Sequence, residues 1–404
     1  MPTTKPRRAG DVNRECGADQ GVSCTNDFVF IPRGGTKAFM KTSRAIQAAA
    51  VFISWFFICN DSAAKQKDES DSPRPTPFVE VVKQYFSKWD KDDDGKLTPH
   101  EISLAVGNPK FQDESAAAIA AIRISAHRGK QARDIKLDVL VNPSKKLLSE
   151  YADALQQLHG ASRELFAQKQ PSIDAIKQQT MGDCYFVSVV GSMVHRNPST
   201  IKNMIKKMEK GWLVEFKNGE KVVVDRVTDA DIIICAYAGD NGLWLAILEK
   251  AYRNDAKGTQ QGDQRDRYDR IDSGGHAASV IEKLDGHKTK DIDLSKRRGA
   301  EFADTIRKDI KMALHENRLV NAGTGRKVTT PHIVDHHAYA ILGYDSKTDL
   351  VHVWNPWGNN FTPKGPDGLR NGYTTKDGQF DIPMKDFLQI YEELTIETRV
   401  PDRH

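Results

Sequence analysis

Cys184, His337 and Asn355 are the residues of this chain whose types and neighbours are suited to covalent chemistry. Cys184 opens an apolar segment with Tyr185, Phe186, Val189, Val190 and Met193 at helical spacing, which puts it at a helix N-terminus. There the unpaired backbone N–H groups and the helix dipole stabilise a thiolate, and one N–H is available to an oxyanion. Gln178, upstream in Gln178-Gln179-Thr180-Met181-Gly182-Asp183, offers a side-chain amide as a second oxyanion donor. Taken alone, a helix-start cysteine is also the pattern of a small buried apolar residue. His337 heads the β-like run Ala338-Tyr339-Ala340-Ile341-Leu342-Gly343-Tyr344, where it can take the thiol proton. The run Val351-His352-Val353-Trp354 then ends in Asn355. Two adjacent antiparallel strands would bring this amide beside the imidazole and fix its tautomer, with Trp357 covering the pair. His336 would face away from its neighbour if the run is a strand. His276 reads as a loop residue, and Cys235, inside an apolar run, as a buried structural thiol.

A second constellation suits a hard cation. Asp90, Asp92 and Asp94 place carboxylates at positions 1, 3 and 5 of a twelve-residue loop, with Gly95 at the sharp turn. Lys96 offers its backbone carbonyl, Thr98 can bind through water, and Glu101 can supply two oxygens. Ca2+ needs six or seven oxygens gathered from one tight segment, and an EF-hand loop supplies them at this spacing. An acidic solvated turn is the bland alternative. Hands normally pair; the segment His127-Arg128-Gly129-Lys130-Gln131-Ala132-Arg133-Asp134 lacks ligand carboxylates at the right places, which leaves a degenerate second hand open.

The elements that must hold these groups follow from periodicity. Phe78, Val81, Val82, Tyr85, Phe86 and Trp89 predict a helix before the acidic loop. A short helix follows the loop, a third is expected over 114–125, and an amphipathic one over 143–168. From about 172 the pattern becomes mixed, with helices near 184–195, 243–253 and 300–316 and strands at 212–216, 221–225, 338–344 and 350–354. Upstream, residues 1–39 show no sustained period and read as disordered or untranslated. From Met40 a basic start (Lys41, Arg44), an apolar run over 45–59 and Ser62-Ala63-Ala64 have the parts of a secretory signal. The run is shorter than the roughly 20 residues of a spanning helix, so 40–64 is a signal peptide or a retained signal anchor. Residues 65–77 are a charged, Pro-rich linker. An exported enzyme is expected, touching membrane only if 45–59 stays as an anchor, and a cytoplasmic one if the segment is not a working signal.

In family order, these motifs resemble the calpain family of cysteine proteases. Gln178 to Phe186 is similar to its Q-x-x-x-G-D-C-aromatic segment, and Trp244 to Tyr252 to its W-x-x-L-L-E-K-A-Y helix. Ser273-Gly274-Gly275, Leu284-Asp285-Gly286, Leu319 to Thr324, His337-Ala338-Tyr339 and Asn355-Pro356-Trp357-Gly358 continue the series. The resemblance covers about residues 172–397. It implies an α+β, papain-like fold with a helical half and an antiparallel β half over 171–398; the small all-α EF-hand region over 78–170, read from the acidic loop and its flanking helices, stands before that core as a departure from the family pattern. It further implies Cys184 as nucleophile, His337 as general base and acid, Asn355 as orienter and Gln178 as oxyanion donor, acting on protein or peptide substrates. Tyr185 departs from the family's usual Trp, and the calcium sites of the family's catalytic core cannot be matched here residue by residue.

Composition narrows the alternatives. The 59 basic and 55 acidic residues are interspersed and leave a net charge of only +4, with no basic and aromatic block suited to nucleic acid. Five scattered cysteines make neither a disulfide framework nor a zinc knuckle. A transglutaminase-like acyl transferase would want Asp in place of Asn355. A calcium-regulated binding protein on an inactive protease fold would not need all three reactive residues intact. Whether calcium gates catalysis or stabilises the chain is left open by the sequence.

Overall fold

Helix α1 (Pro77–Trp89) buries Phe78, Val79, Val82, Phe86 and Trp89, the stripe that its apolar spacing requires. It leads through the acidic loop and strand β1 (Lys96–Leu97) into α2 (Pro99–Val106). The start of α2 is capped by Thr98, whose side chain takes the Glu101 N–H while Glu101 reaches back to Thr98. Helix α3 (Asp113–His127) follows, then β2 (Ile135–Lys136), α4 (Leu137–Val141) and α5 (Lys145–Gly160). In this computed structural model residues 77–127, 133–254, 267–296 and 299–399 are described. The leader and linker expected over 1–76, and Cys16, Cys24 and Cys59, lie outside them. Among the described residues, no helix is long and apolar enough to cross a membrane.

Strand β1 pairs antiparallel with β2, Leu97 opposite Ile135, and the Leu137 N–H donates to the Gly95 carbonyl. The segment between α1 and α2 is thus joined to the residues just before α4. The amphipathic helix expected over 143–168 stops at Gly160. Beyond it, the carbonyls of Glu164 and Leu165 accept from Leu243 and Trp244, and the Ala167 N–H donates to Asn241. Those backbone groups are committed to the start of the next helical layer and cannot continue a helix.

The helical half contains α6 (Cys184–Arg196), α7 (Pro198–Met204), α8 (Asp229–Ile234), α9 (Trp244–Asn254), α10 (Arg267–Asp272) and α11 (Ala277–Leu284). A three-stranded sheet, β3 (Ile205–Lys207), β4 (Trp212–Glu215) and β5 (Lys221–Val224), lies between α7 and α8 in the chain. The other half is a six-stranded antiparallel sheet in the order β10-β9-β8-β7-β11-β6. Its strands are β6 (Lys288–Asp293), β7 (Val320–Thr324), β8 (Ala338–Asp345), β9 (Leu350–Trp354), β10 (Gln379–Pro383) and β11 (Tyr391–Thr398). Helices α12 (Ala300–His315) and α13 (Met384–Ile390) pack against it.

The described residues form two hydrophobic cores. One runs from Phe78 and Trp89 through the Ala/Ile face of α3 into Phe186, Trp244 and Leu248, so the N-terminal helices share a core with the helical half. The other fills the β half around Tyr339, Val353, Phe387 and Tyr391. The halves meet where α6 crosses the sheet. A Cβ at Gly191 would stand 2.2 Å from the Trp354 ring, so only glycine allows α6 to approach β9 this closely. A buried ion network stiffens the helical half: Asp231 accepts from Lys250 Nζ at 2.7 Å, Arg253 Nη2 at 2.5 Å and Tyr268 Oη at 2.7 Å.

Candidate functional site

Cys184 is the first residue of α6, and its N–H and that of Tyr185 stand ahead of the helix's first backbone bonds, which run from Phe186 and Val187 to the Asp183 carbonyl. Its thiol lies against the backbone of Ala338, the residue after His337. Burial raises the thiol above the ordinary cysteine range, while the N–H groups of Ala338, Tyr185 and Cys184 itself pull it back. Asp183, fully buried beside it, is pushed well above the carboxylate range by burial and then by Glu249. Where it carries charge, Asp183 adds to the rise of the neighbouring thiol. Glu249, raised to about 7 by burial, belongs to the same pair.

His337 closes the turn into β8, and Asn355 follows β9 directly. The strands pair antiparallel, Ala340 opposite Trp354, which brings the two side chains together. His337 Nε2 and Asn355 Oδ1 are 2.9 Å apart, and the Trp357 N–H reaches the same oxygen at 3.1 Å. A backbone N–H can only donate, so the amide must turn its oxygen to this point. His337 therefore carries its proton on Nε2 and keeps Nδ1 as the basic nitrogen. The Trp357 ring packs 5.1 Å from the imidazole, and Tyr339 meets it edge-on at 4.9 Å. His336 is exposed as expected, but for another reason: it precedes the strand with φ 47°, which turns it outward. His276 is an exposed helix-start residue, and Cys235 is fully buried.

Gln178 is held on both sides, its N–H donating to Pro356 at 2.8 Å and its Nε2 to Met181 at 2.7 Å. The same side chain also interacts with the Asp183 carboxylate. Gly182 donates to Asp272 Oδ1, which anchors the loop ahead of the cysteine. The sequence motifs assign no role to Asp183, Glu249 or Asp272. The signal for the first two was two acids within apolar, helix-forming stretches.

Burial drives His337 from 6.5 to about 4, with the hydrogen bond that it donates to Asn355 acting the other way. Between those pH values the unfolded chain takes up a proton that the folded chain refuses, so folding loses stability as pH falls from 6.5 to 4. The loss from this one group is roughly 3 kcal/mol. Thermal melts of the full chain across that window should fall more steeply than those of His337→Gln. Parallel curves would place the acid sensitivity elsewhere.

In the acidic loop, one oxygen from each of Asp90, Asp92 and Asp94 falls within 4.8 Å of the others. Asp90 is buried; its Oδ2 accepts from the Gly95 N–H at 3.0 Å, and its buried Oδ1 has no hydrogen-bond partner. Loss of water and then the charges of Asp94 and Glu101 raise Asp92. An unpartnered buried carboxylate oxygen and mutually repelling acids fit a cation at the loop centre. Glu101 is not part of this trio. Its carboxylate accepts from the N–H groups of Lys91 at 2.6 Å and Thr98 at 2.9 Å, as the cap of α2. Lys96 sends its ammonium to Asp94 and Asp134.

A helical half that begins with Cys184, joined to an antiparallel sheet that carries the His337–Asn355 pair, is consistent with the core of a cysteine protease. Residues 154–398 match the model of the calpain family cysteine protease, and with well over half its length matched the chain belongs to that family. It is 25% identical to the calpain-1 catalytic subunit of Sus scrofa over 285 residues, covering 59% of this chain and 37% of the relative. The calpain-1 catalytic subunit of Mus musculus is 24% identical over 264 residues (56% of this chain, 35% of the relative). Calpain clp-4 of Caenorhabditis elegans is 24% identical over 271 residues (58% and 36%). The chain spans little more than a third of the length of these curated relatives.

Proposed function

We propose that this chain is a cysteine endopeptidase that hydrolyses protein or peptide substrates through an acyl-thioester on Cys184. The observation that carries the reading is the His337–Asn355–Trp357 hydrogen-bond set, because it leaves a basic Nδ1 on the imidazole. Nδ1 takes the Cys184 proton as sulfur attacks the scissile carbonyl carbon. The oxyanion then accepts from the Cys184 N–H and from Gln178 Nε2. The imidazolium returns its proton to the leaving amine as the C–N bond breaks, leaving the thioester. Water, deprotonated by the same Nδ1, attacks the thioester, and the released thiolate is reprotonated. On the sequence pattern of residues 40–64 the proposal extends to an exported enzyme.

The same reading includes a calcium ion in the loop 90–101, held by Asp90, Asp92, Asp94, the Lys96 carbonyl and Glu101. When bound, the ion would supply charge balance to three acids and fix the turn between α1 and α2. Glu101 would have to exchange its backbone partners for the ion.

A fluorescent epoxysuccinyl thiol-protease inhibitor tests the enzymatic reading. Wild type should be labelled and should degrade casein. Cys184→Ala should do neither while melting near the wild-type temperature, since a methyl replaces a small thiol. Casein turnover by Cys184→Ala would overturn the assignment, and a folded wild type that neither labels nor cleaves would favour a binding protein.

A further inference from the structure

A cavity of about 480 Å³ opens beside the loop that precedes the nucleophile. Met181, Trp357, Ile234 and Asp272 line one side, and Arg123 and Ile124 of α3 line the other. Met181 and Trp357 tie this space to the reaction centre, since one belongs to the Cys184 loop and the other packs on His337. Asp272 anchors that same loop through Gly182. The far wall belongs to a helix outside the stretch 154–398 that the family model matches. In this chain the cleft is therefore completed by its N-terminal helices.

Helix α3 is held firmly in this place. Its residues 116–122 are all fully buried. Its first N–H donates to Asp229 Oδ2 at 2.9 Å, and the Thr228 hydroxyl reaches the Val106 carbonyl at the end of α2 at 2.8 Å. The Arg123 guanidinium packs over the Tyr268 ring at 4.9 Å, so its charge faces the interior. Ile124, by contrast, is only half-buried, an apolar side chain at the cavity wall that follows nine consecutive buried positions, 115–123. Ile124, Met181, Ile234 and Trp357 make most of this lining apolar. An apolar recess beside a nucleophile is filled by what the nucleophile attacks.

We propose that this cavity is a substrate subsite for a bulky aliphatic or aromatic side chain close to the scissile bond, with Ile124 of α3 as a specificity-determining residue. The proposal rests on the peptidase reading above. In such a pocket a change of a methylene or more is worth about 10–200-fold in discrimination, and filling the space should act in the same range.

The test uses the full chain and a peptide library read by mass spectrometry, comparing wild type with Ile124→Trp and Ile124→Ser. Ile124→Trp should lower kcat/KM for peptides bearing the bulky apolar residue by about tenfold or more and shift preference towards Gly or Ala there. Ile124→Ser, at a half-exposed position, should fold normally and weaken the same preference without reversing it. The rate of Cys184 alkylation by iodoacetamide, too small to need the subsite, should stay within about twofold in both. Unchanged cleavage preference in a folded Ile124→Ser or Ile124→Trp overturns the subsite. A preference for acidic residues lost in Arg123→Met would overturn it too, by assigning the cavity to the guanidinium. A wild type that is alkylated but cleaves nothing in the library overturns the peptidase reading itself, and the subsite with it.

Discussion

His337→Ala should lower kcat/KM for a peptide substrate by on the order of 10⁶, and Asn355→Ala by roughly 10⁴, the pattern of a base and its orienter in hydrolases built on a triad. Nδ1 of His337 is the base that both chemical steps require, and alanine provides no proton acceptor in its place. Asn355 acts on His337 alone. Without its Oδ1, the imidazole loses the partner that holds the proton on Nε2 and the interaction that keeps its basicity from falling further. The ring would still be confined by Tyr339 and Trp357, which is why a share of the activity should survive. Steady-state kinetics on the two variants, with melting temperatures as a check on folding, decides the matter. Equal losses would mean that the roles are wrongly divided.

The parts of this site that sit at the ends of periodic elements were legible in the sequence. Cys184 begins an apolar helical stripe, and His337 and Asn355 bracket two strands whose alternation is visible, so their residue types and order were enough to pair them. What stayed hidden depends on contacts remote in the chain. The break at Gly160 follows from backbone pairing with 241–244, which no local pattern announces. The two-residue strands β1 and β2 are too short to leave a period. Asp231 looks like an ordinary acid in an apolar run until Lys250, Arg253 and Tyr268 converge on it. The cleft wall supplied by Ile124 could not be seen at all, because α3 reads only as a hydrophobic helix that needs a partner. Its partner is the helical half, through a shared core that also rules out a clean truncation at residue 171. Point variants are therefore the sound way to separate the two regions.

Calcium at 1 mM should stabilise the full chain against heat, by about 2.7 kcal/mol if the loop binds it with a dissociation constant near 10 μM. Asp90→Ala combined with Glu101→Gln should abolish that gain. Asp90 carries the first ligand position and the unpartnered buried oxygen, and Glu101 stands at the twelfth position, where an EF-hand loop gives the ion two oxygens. Binding must also pull Glu101 away from the Lys91 and Thr98 N–H groups, so the ion and the start of α2 are mechanically linked. The link continues, because α2 packs against α3, whose Arg123 and Ile124 line the cavity beside Met181. A route from loop to cleft does not by itself make a switch. Calcium gates catalysis only if it binds one arrangement of these helices better than another; equal affinity for both shifts nothing. The two behaviours separate when kcat/KM is measured with calcium and with chelator at a temperature far below the melt. A stabilising ion leaves kcat/KM unchanged there while the melting temperature moves. A gating ion changes kcat/KM in wild type and not in the double variant. If calorimetry on the double variant still shows one tight site, the loop is not where the ion sits.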